Sequence, residues 1–189
     1  MPSSAVPSSF RSSHYIRLPA SAICAAALLL LTACSHTEQK PLTMADIQAE
    51  KAAGYNFDAF LHLRPLAEQG NPAAQYELGY FYRMGTVGAA DFAKARTWLL
   101  RSANQGNTSA MLQLAAMNGL GQGGPIDKQE TVKWLTIAGN SHSLSPDLAA
   151  QVEQNRLKYA DGLSPADLAA ANDAAKAFQP HPESPSPTT

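Results

Sequence analysis

Ala67-Glu68-Gln69-Gly70-Asn71 comes back 36 residues later as Ala103-Asn104-Gln105-Gly106-Asn107. Working outward in the same register, Ala74 returns as Ala110, Leu78 as Leu114, Gly85 as Gly121, Asp91 as Asp127 and Trp98-Leu99 as Trp134-Leu135. A period of this length is that of a stacked solenoid, whose single unit cannot bury its apolar face without a neighbour.

Each unit divides into two helical patterns separated by glycine. Ala74, Leu78, Phe81 and Tyr82 recur at spacings of three and four, which marks one buried helical stripe. Gly85 ends that helix and residues 86–90 make the turn. Asp91 stands where an N-cap stands, and Phe92, Ala95, Trp98, Leu99, Ser102 and Ala103 form the second stripe. In the second copy Ala110, Leu114 and Met117 are followed by a looser, glycine-rich break from Gly119 to Gly124. Pro125-Ile126-Asp127 restarts the chain, and Val132, Trp134, Leu135 and Ala138 complete the unit.

Ala74, Leu78-Gly79, Tyr82, Gly85, Ala95, Trp98 and Ala103 resemble the Sel-one-like repeat, a relative of the tetratricopeptide repeat with a slightly longer unit. The second copy keeps Ala110, Leu114, Gly121 and Trp134 and departs with Ala115, Asn118 and Thr131. The resemblance implies an all-α fold, a right-handed αα-solenoid of helix-turn-helix repeats, and a class of job: binding proteins. It does not name the partner.

The expected organisation follows. Residues 72–107 and 108–143 are the two repeats, and residues 45–71 read as an earlier, degenerate copy in which Pro65 should kink or break the second helix. Ser145-Pro146-Asp147 and Ser164-Pro165-Ala166-Asp167 each look like a helix start with proline at the first position, so residues 144–178 are expected to be two capping helices. Residues 45–178 then form one α-solenoid. Residues 179–189, with Pro180, Pro182, Pro185 and Pro187 among polar residues, have nothing to build a core and read as a disordered or extended tail.

The other end reads as a targeting segment. Arg11 and Arg17 form a positive region with no acidic residue before Glu38, and an apolar run of about 16 residues from Leu18 to Ala33 follows, short of the roughly 20 a membrane-spanning helix needs. Leu31-Thr32-Ala33-Cys34 resembles a bacterial lipoprotein signal, which implies that residues 1–33 are removed and Cys34 is acylated. Acyl chains contribute about 0.8 kcal/mol for each buried methylene, so several of them anchor stably. Residues 34–44 become a tether. Ser35 stands where inner-membrane lipoproteins often carry Asp, so the expected location is the periplasmic face of a bacterial outer membrane.

Charge and cysteine content exclude other classes. With the leader gone, 12 of the 14 basic residues remain against 15 acidic ones, a net charge of −3 and no footprint for nucleic acid. Cys24 leaves with the leader and Cys34 carries lipid, so no disulfide is available and packing alone must stabilise the domain.

No reaction centre emerges from the motifs. Gly119-Leu120-Gly121-Gln122-Gly123-Gly124 fits the dinucleotide pattern G-x-G-x-x-G but lacks the strand and the βαβ unit that would make it hold a pyrophosphate. Some cysteine-rich relatives with this repeat are linked with β-lactam binding, yet no serine after Cys34 has a lysine three residues on, and their disulfide framework is missing. His36, His62, His142 and His181 are scattered at no metal-ligand spacing. Neither a metal nor another cofactor is expected.

Tyr76, Tyr80 and Arg83 lie at i, i+4 and i+7 on the first helix of the first repeat, and Tyr and Arg are the types enriched at binding hot spots. In related solenoids that helix lines the concave surface. The equivalent positions in the second copy are Leu112, Ala116 and Gly119. Trp98 and Trp134 recur in register and are assigned to packing between helices. The expected function is a lipid-anchored envelope module or scaffold that binds other proteins, with association of two copies through the open ends of the stack also available. The alternative is an envelope enzyme such as a cell-wall hydrolase, a β-lactam-interacting protein, or a regulator of one; it would need a pocket with paired acid and base groups.

Overall fold

Eight helices follow one another in the described residues, 42–183 of the computed structural model. They are α1 (Met44–Ala52), α2 (Asn56–Glu68), α3 (Pro72–Met84), α4 (Phe92–Asn104), α5 (Thr108–Leu120), α6 (Lys128–Gly139), α7 (Pro146–Ala160) and α8 (Pro165–Ala177). The leader, Cys34 and most of the expected tether lie outside the described residues.

Short polar residues cap every described helix except α2, which starts after Tyr55 with no side-chain cap. The Asn71 side chain accepts from the Ala73 and Ala74 backbone N–H groups at the start of α3, and Asn107 accepts from Ala110 at the start of α5. Asp91 and Asp127 cap α4 and α6 in the same register, and Ser145 and Ser164 cap α7 and α8, each followed by proline. Thr43 and Asp46 form a reciprocal capping box on α1. These contacts satisfy N–H groups that have no partner within the helix, worth about 1 kcal/mol each.

Successive helices pack in pairs: α1 on α2, α2 on α3, and so on to α6 on α7. Then the order changes, and α8 returns to pack on α6. The odd helices also touch one another, through Lys51 to Glu77 between α1 and α3, Arg83 to Gln113 between α3 and α5, and Tyr159 against Gly119 between α5 and α7.

The core repeats with the sequence. Leu63, Leu99 and Leu135 stand 36 residues apart on α2, α4 and α6, and all three are buried. Ala59 and Ala95, and Ala67 and Ala103, are completely buried in the same register. Small residues at these crossings let helix axes approach while each buried leucine contributes about 1.5–3 kcal/mol. Gly79 marks the closest approach: a Cβ there would lie 2.7 Å from Leu99 Cγ. Gly85 and Gly121 both end their helices in the left-handed region, with φ of 65° and 68°.

Two departures of the second repeat are absorbed locally. Thr131, in place of Ala95, is fully buried and donates its hydroxyl to the Asp127 carbonyl at 2.6 Å. Asn118, in place of Tyr82, is 2% exposed and accepts from Arg96 Nη1 at 2.7 Å. Among the described residues no buried side-chain nitrogen or oxygen lacks a partner.

One sequence expectation, a break at Pro65, needs correction. Pro65 does not break α2, which continues to Glu68. Its ring removes a donor to the Leu61 carbonyl, but Pro65 and Leu61 both lie on the exposed side of the helix, and Gln69 N–H still bonds the Pro65 carbonyl at 3.1 Å. Of the tail expected to be disordered or extended, residues 179–183 run extended along the solenoid, and residues 184–189 lie outside the described residues. Hydrogen bonds hold the described part: His181 N–H donates to the Asn104 carbonyl at 3.0 Å, and the Glu183 carboxylate meets Arg101.

Candidate functional site

The side chains that the odd helices leave outside the core lie near one another, because α1, α3, α5 and α7 touch in that order. On α3, the first-repeat triplet divides its work. The Tyr76 and Tyr80 rings lie 6.3 Å apart, tilted at 37°, and both are half-buried. Burial, followed by the neighbouring Glu77 and Tyr80, pushes the Tyr76 hydroxyl above its ordinary value, so it remains a neutral donor and acceptor.

Arg83 spans to the next repeat. Its Nε donates to Gln122 Oε1 at 2.8 Å and its Nη1 to Gln113 Oε1, which fixes the guanidinium across α3 and α5. Burial lowers its pKa from the ordinary arginine value without removing the charge. The triplet is therefore a rigid aromatic pair beside a braced cation. Glu77, next to Tyr76, is 8% exposed and receives Lys51 and, at 2.8 Å, Gln48 Nε2 from α1. That ion pair closes the N-terminal end of the face.

The second repeat makes a different surface from the same register. At Gly119, opposite Arg83 in the repeat, a Cβ would lie 2.5 Å from Tyr159 Oη, so the tyrosine of α7 occupies the space. Between α5 and α7, over a floor of Thr131 and Leu135 from α6, runs an apolar groove of about 300 Å³ whose walls include Leu112, Ala116, Leu148 and Tyr159. At its mouth Leu120 is 60% and Leu148 38% exposed. An apolar slot with tyrosine at its rim suits the side chain of a protein or peptide.

The repeat positions separate into core and edge. Ala74, Leu78, Gly79, Ala95, Ala103, Ala110, Leu114 and Trp134 are buried, while Tyr82, Gly85, Trp98 and Gly121 are half-buried. Trp134 meets Phe178 edge to face at 5.9 Å, so it joins α6 to the end of α8. Trp98 sits at the margin of the core with the Arg101 guanidinium stacked 4.6 Å above its ring. The groove and the seating of Tyr159 on Gly119 are not legible in the sequence because α7 lies beyond the repeats.

Within the described residues no group of three or more His, Cys, Asp or Glu could hold a metal ion, and no helix is long and apolar enough to cross a membrane. His62 pairs with Glu50 through Nδ1 at 2.9 Å. His142 is exposed in the α6–α7 turn.

Comparison with protein families identifies residues 72–107 and 108–142 as Sel1 repeats. A search of curated proteins found no match to the chain. The middle of the chain is thus a pair of Sel1 repeats, with α1 and α2 before them and α7 and α8 after.

Proposed function

We propose that this chain, built around two Sel1 repeats, is a lipid-anchored envelope scaffold that binds a protein partner through the face formed by α3, α5 and α7. Carrying this reading is the pairing of the Tyr76–Tyr80–Arg83 triplet with an open apolar groove on the adjoining helices. An apolar side chain of the partner enters the groove between Leu112 and Tyr159, while the tyrosine hydroxyls and the unused N–H groups of Arg83 bond its backbone. The repeat architecture supports a protein as the ligand. Anchoring rests on the sequence alone: Leu31-Thr32-Ala33-Cys34 supplies the acylation signal and Ser35 the outer-membrane sorting tendency, with the domain facing the periplasm.

In-cell crosslinking of the full-length protein, with Cys34→Ala and Tyr80→Ala forms in parallel, tests both parts. The reading expects one recurrent envelope protein that is lost in Tyr80→Ala at unchanged helicity, and membrane release of Cys34→Ala. A partner set indifferent to Tyr80 removes the proposed face, and a soluble wild-type protein removes the anchor.

A further inference from the structure

The tail contacts describe a second site, built on residues other than Tyr76, Tyr80 and Arg83. At the N-terminal ends of α3 and α5, the turns at Gly70 and Gly106 form a ledge on which residues 179–183 lie extended. Both glycines have a φ of 92°. A Cβ on Gly106 would lie 3.2 Å from Pro180 Cβ, and one on Gly70 would lie 3.2 Å from the Glu183 carbonyl. The glycines of the repeated Gln-Gly-Asn motif therefore serve both the turn and the seating of another backbone.

The ledge reads the segment in two ways. Pro180 and Pro182 have no N–H to leave unpaired, and they hold the backbone extended before it docks. The amide that follows each proline points at the ledge: His181 N–H to Asn104 O at 3.0 Å, and Glu183 N–H to Gln105 Oε1 at 3.2 Å. The carboxylate is then gripped from two sides. Arg101 donates Nε to Oε1 and Nη2 to Oε2, each at 2.8 Å, a bidentate fork held ready by its stacking on Trp98. Gln75, with no exposed surface, donates Nε2 to Glu183 Oε2 at 2.5 Å while the same amide bonds Ala67 O at 3.0 Å. Gln105 completes the cradle by donating to Gly70 O at 2.9 Å and Gln75 Oε1 at 2.8 Å.

This is a built site and not a by-product of the repeat. One period on from Gln75, Arg101 and Gln105 stand Met111, Ile137 and Ser141, so the second repeat has no carboxylate cradle. We propose that the ledge is a binding site for extended, proline-spaced peptides bearing a carboxylate, and that the chain's own residues 179–183 occupy it in cis until such a segment of another protein displaces them. The site lies on other residues than the α3–α5–α7 face and does not depend on that reading. A tethered ligand competes at millimolar effective concentration, so the resident tail sets the threshold for a partner.

The test uses a fluorescent synthetic peptide with the sequence of residues 179–189 and the full-length chain. The Glu183→Ala chain, its resident carboxylate gone, should bind the peptide at least about tenfold more tightly than the wild-type chain does. A peptide with glutamine for its glutamate, or the chain with Arg101→Lys added, should lose about tenfold at unchanged helicity. In hydrogen exchange, the His181 amide should be protected in the wild-type chain and unprotected in Glu183→Ala. Equal peptide binding by the wild-type and Glu183→Ala chains, indifference to the peptide's carboxylate, or an unprotected His181 amide in the wild type would each overturn the proposal.

Discussion

Gly79 faces Leu99 so closely that a methyl group added to the glycine would lie 2.7 Å from Leu99 Cγ, and 3.2 Å from the Ala95 carbonyl oxygen. This contact sets the spacing of α3 and α4 in the first repeat. Gly79→Ala gains helix propensity but overpacks a completely buried leucine, so it should destabilise by about 1–3 kcal/mol. Ala115→Gly, at the equivalent position of the second repeat, loses propensity and packing and should cost about 1 kcal/mol. Urea denaturation monitored by circular dichroism separates the two. A stabilised Gly79→Ala would mean that α3 and α4 are free to move apart.

Trp134 is 4% exposed and meets Phe178 edge to face. Trp134→Ala should therefore cost about 3–5 kcal/mol, as large aromatic truncations in a core do. Phe178 sits at the surface end of the same contact. Phe178→Ala should spare the fold, lower the melting temperature only slightly, and loosen residues 179–183, read as faster exchange at the His181 amide.

The N-caps give a local test of how each helix start contributes. Asn71→Ala leaves the Ala73 and Ala74 N–H groups without their acceptor and should cost about 1 kcal/mol. Asp127→Ala removes the acceptor for Glu130 N–H and should cost a similar amount. Serine at either position should restore most of the loss. Denaturant midpoints of the wild type and of the alanine and serine variants at each position check this directly.

Acid should release the tail before it unfolds the helices. Hydrogen bonds from Arg101 hold the Glu183 carboxyl below the ordinary glutamate value of 4.5, and Gln75 and the charge on His181 act in the same direction. A lowered value in the docked state means that docking is fully stabilised above that ordinary value and weakens as pH falls through the docked one. Protection of the His181 amide should follow this course while the helical signal persists. Glu183→Gln should show weak protection with no acid step, and level wild-type protection down the same titration contradicts the ion pair's role.

Much of the helical order was legible because periodicity and capping are local. Leu78 and Leu114, Asp91 and Asp127, and the Ser-Pro starts at Ser145 and Ser164 lie where one helix's own chemistry decides its bounds. The expected break at Pro65 does not occur, because its cost depends on whether that side of α2 is exposed, which is a property of the packed molecule. The docking of residues 179–183 is not legible for a related reason. Composition measures what a segment can bury, whereas Glu183 is held by polar groups as far away as Gln75, 108 residues earlier. On the candidate face, Tyr76 and Tyr80 could be paired by helical spacing. The Arg83 bridge and the Tyr159 groove required the placement of α5 and α7.

The central claim is that the odd-numbered helices form the partner face. A photo-crosslinking amino acid placed singly at Tyr80, Leu112, Thr97 and Asp173 of the full-length protein in its native cell tests this most directly. Thr97 and Asp173 are exposed on α4 and α8, away from the odd-helix face. The account expects the same protein to be captured from positions 80 and 112 and not from 97 or 173. Capture from 97 or 173 with none from 80 and 112 would contradict it.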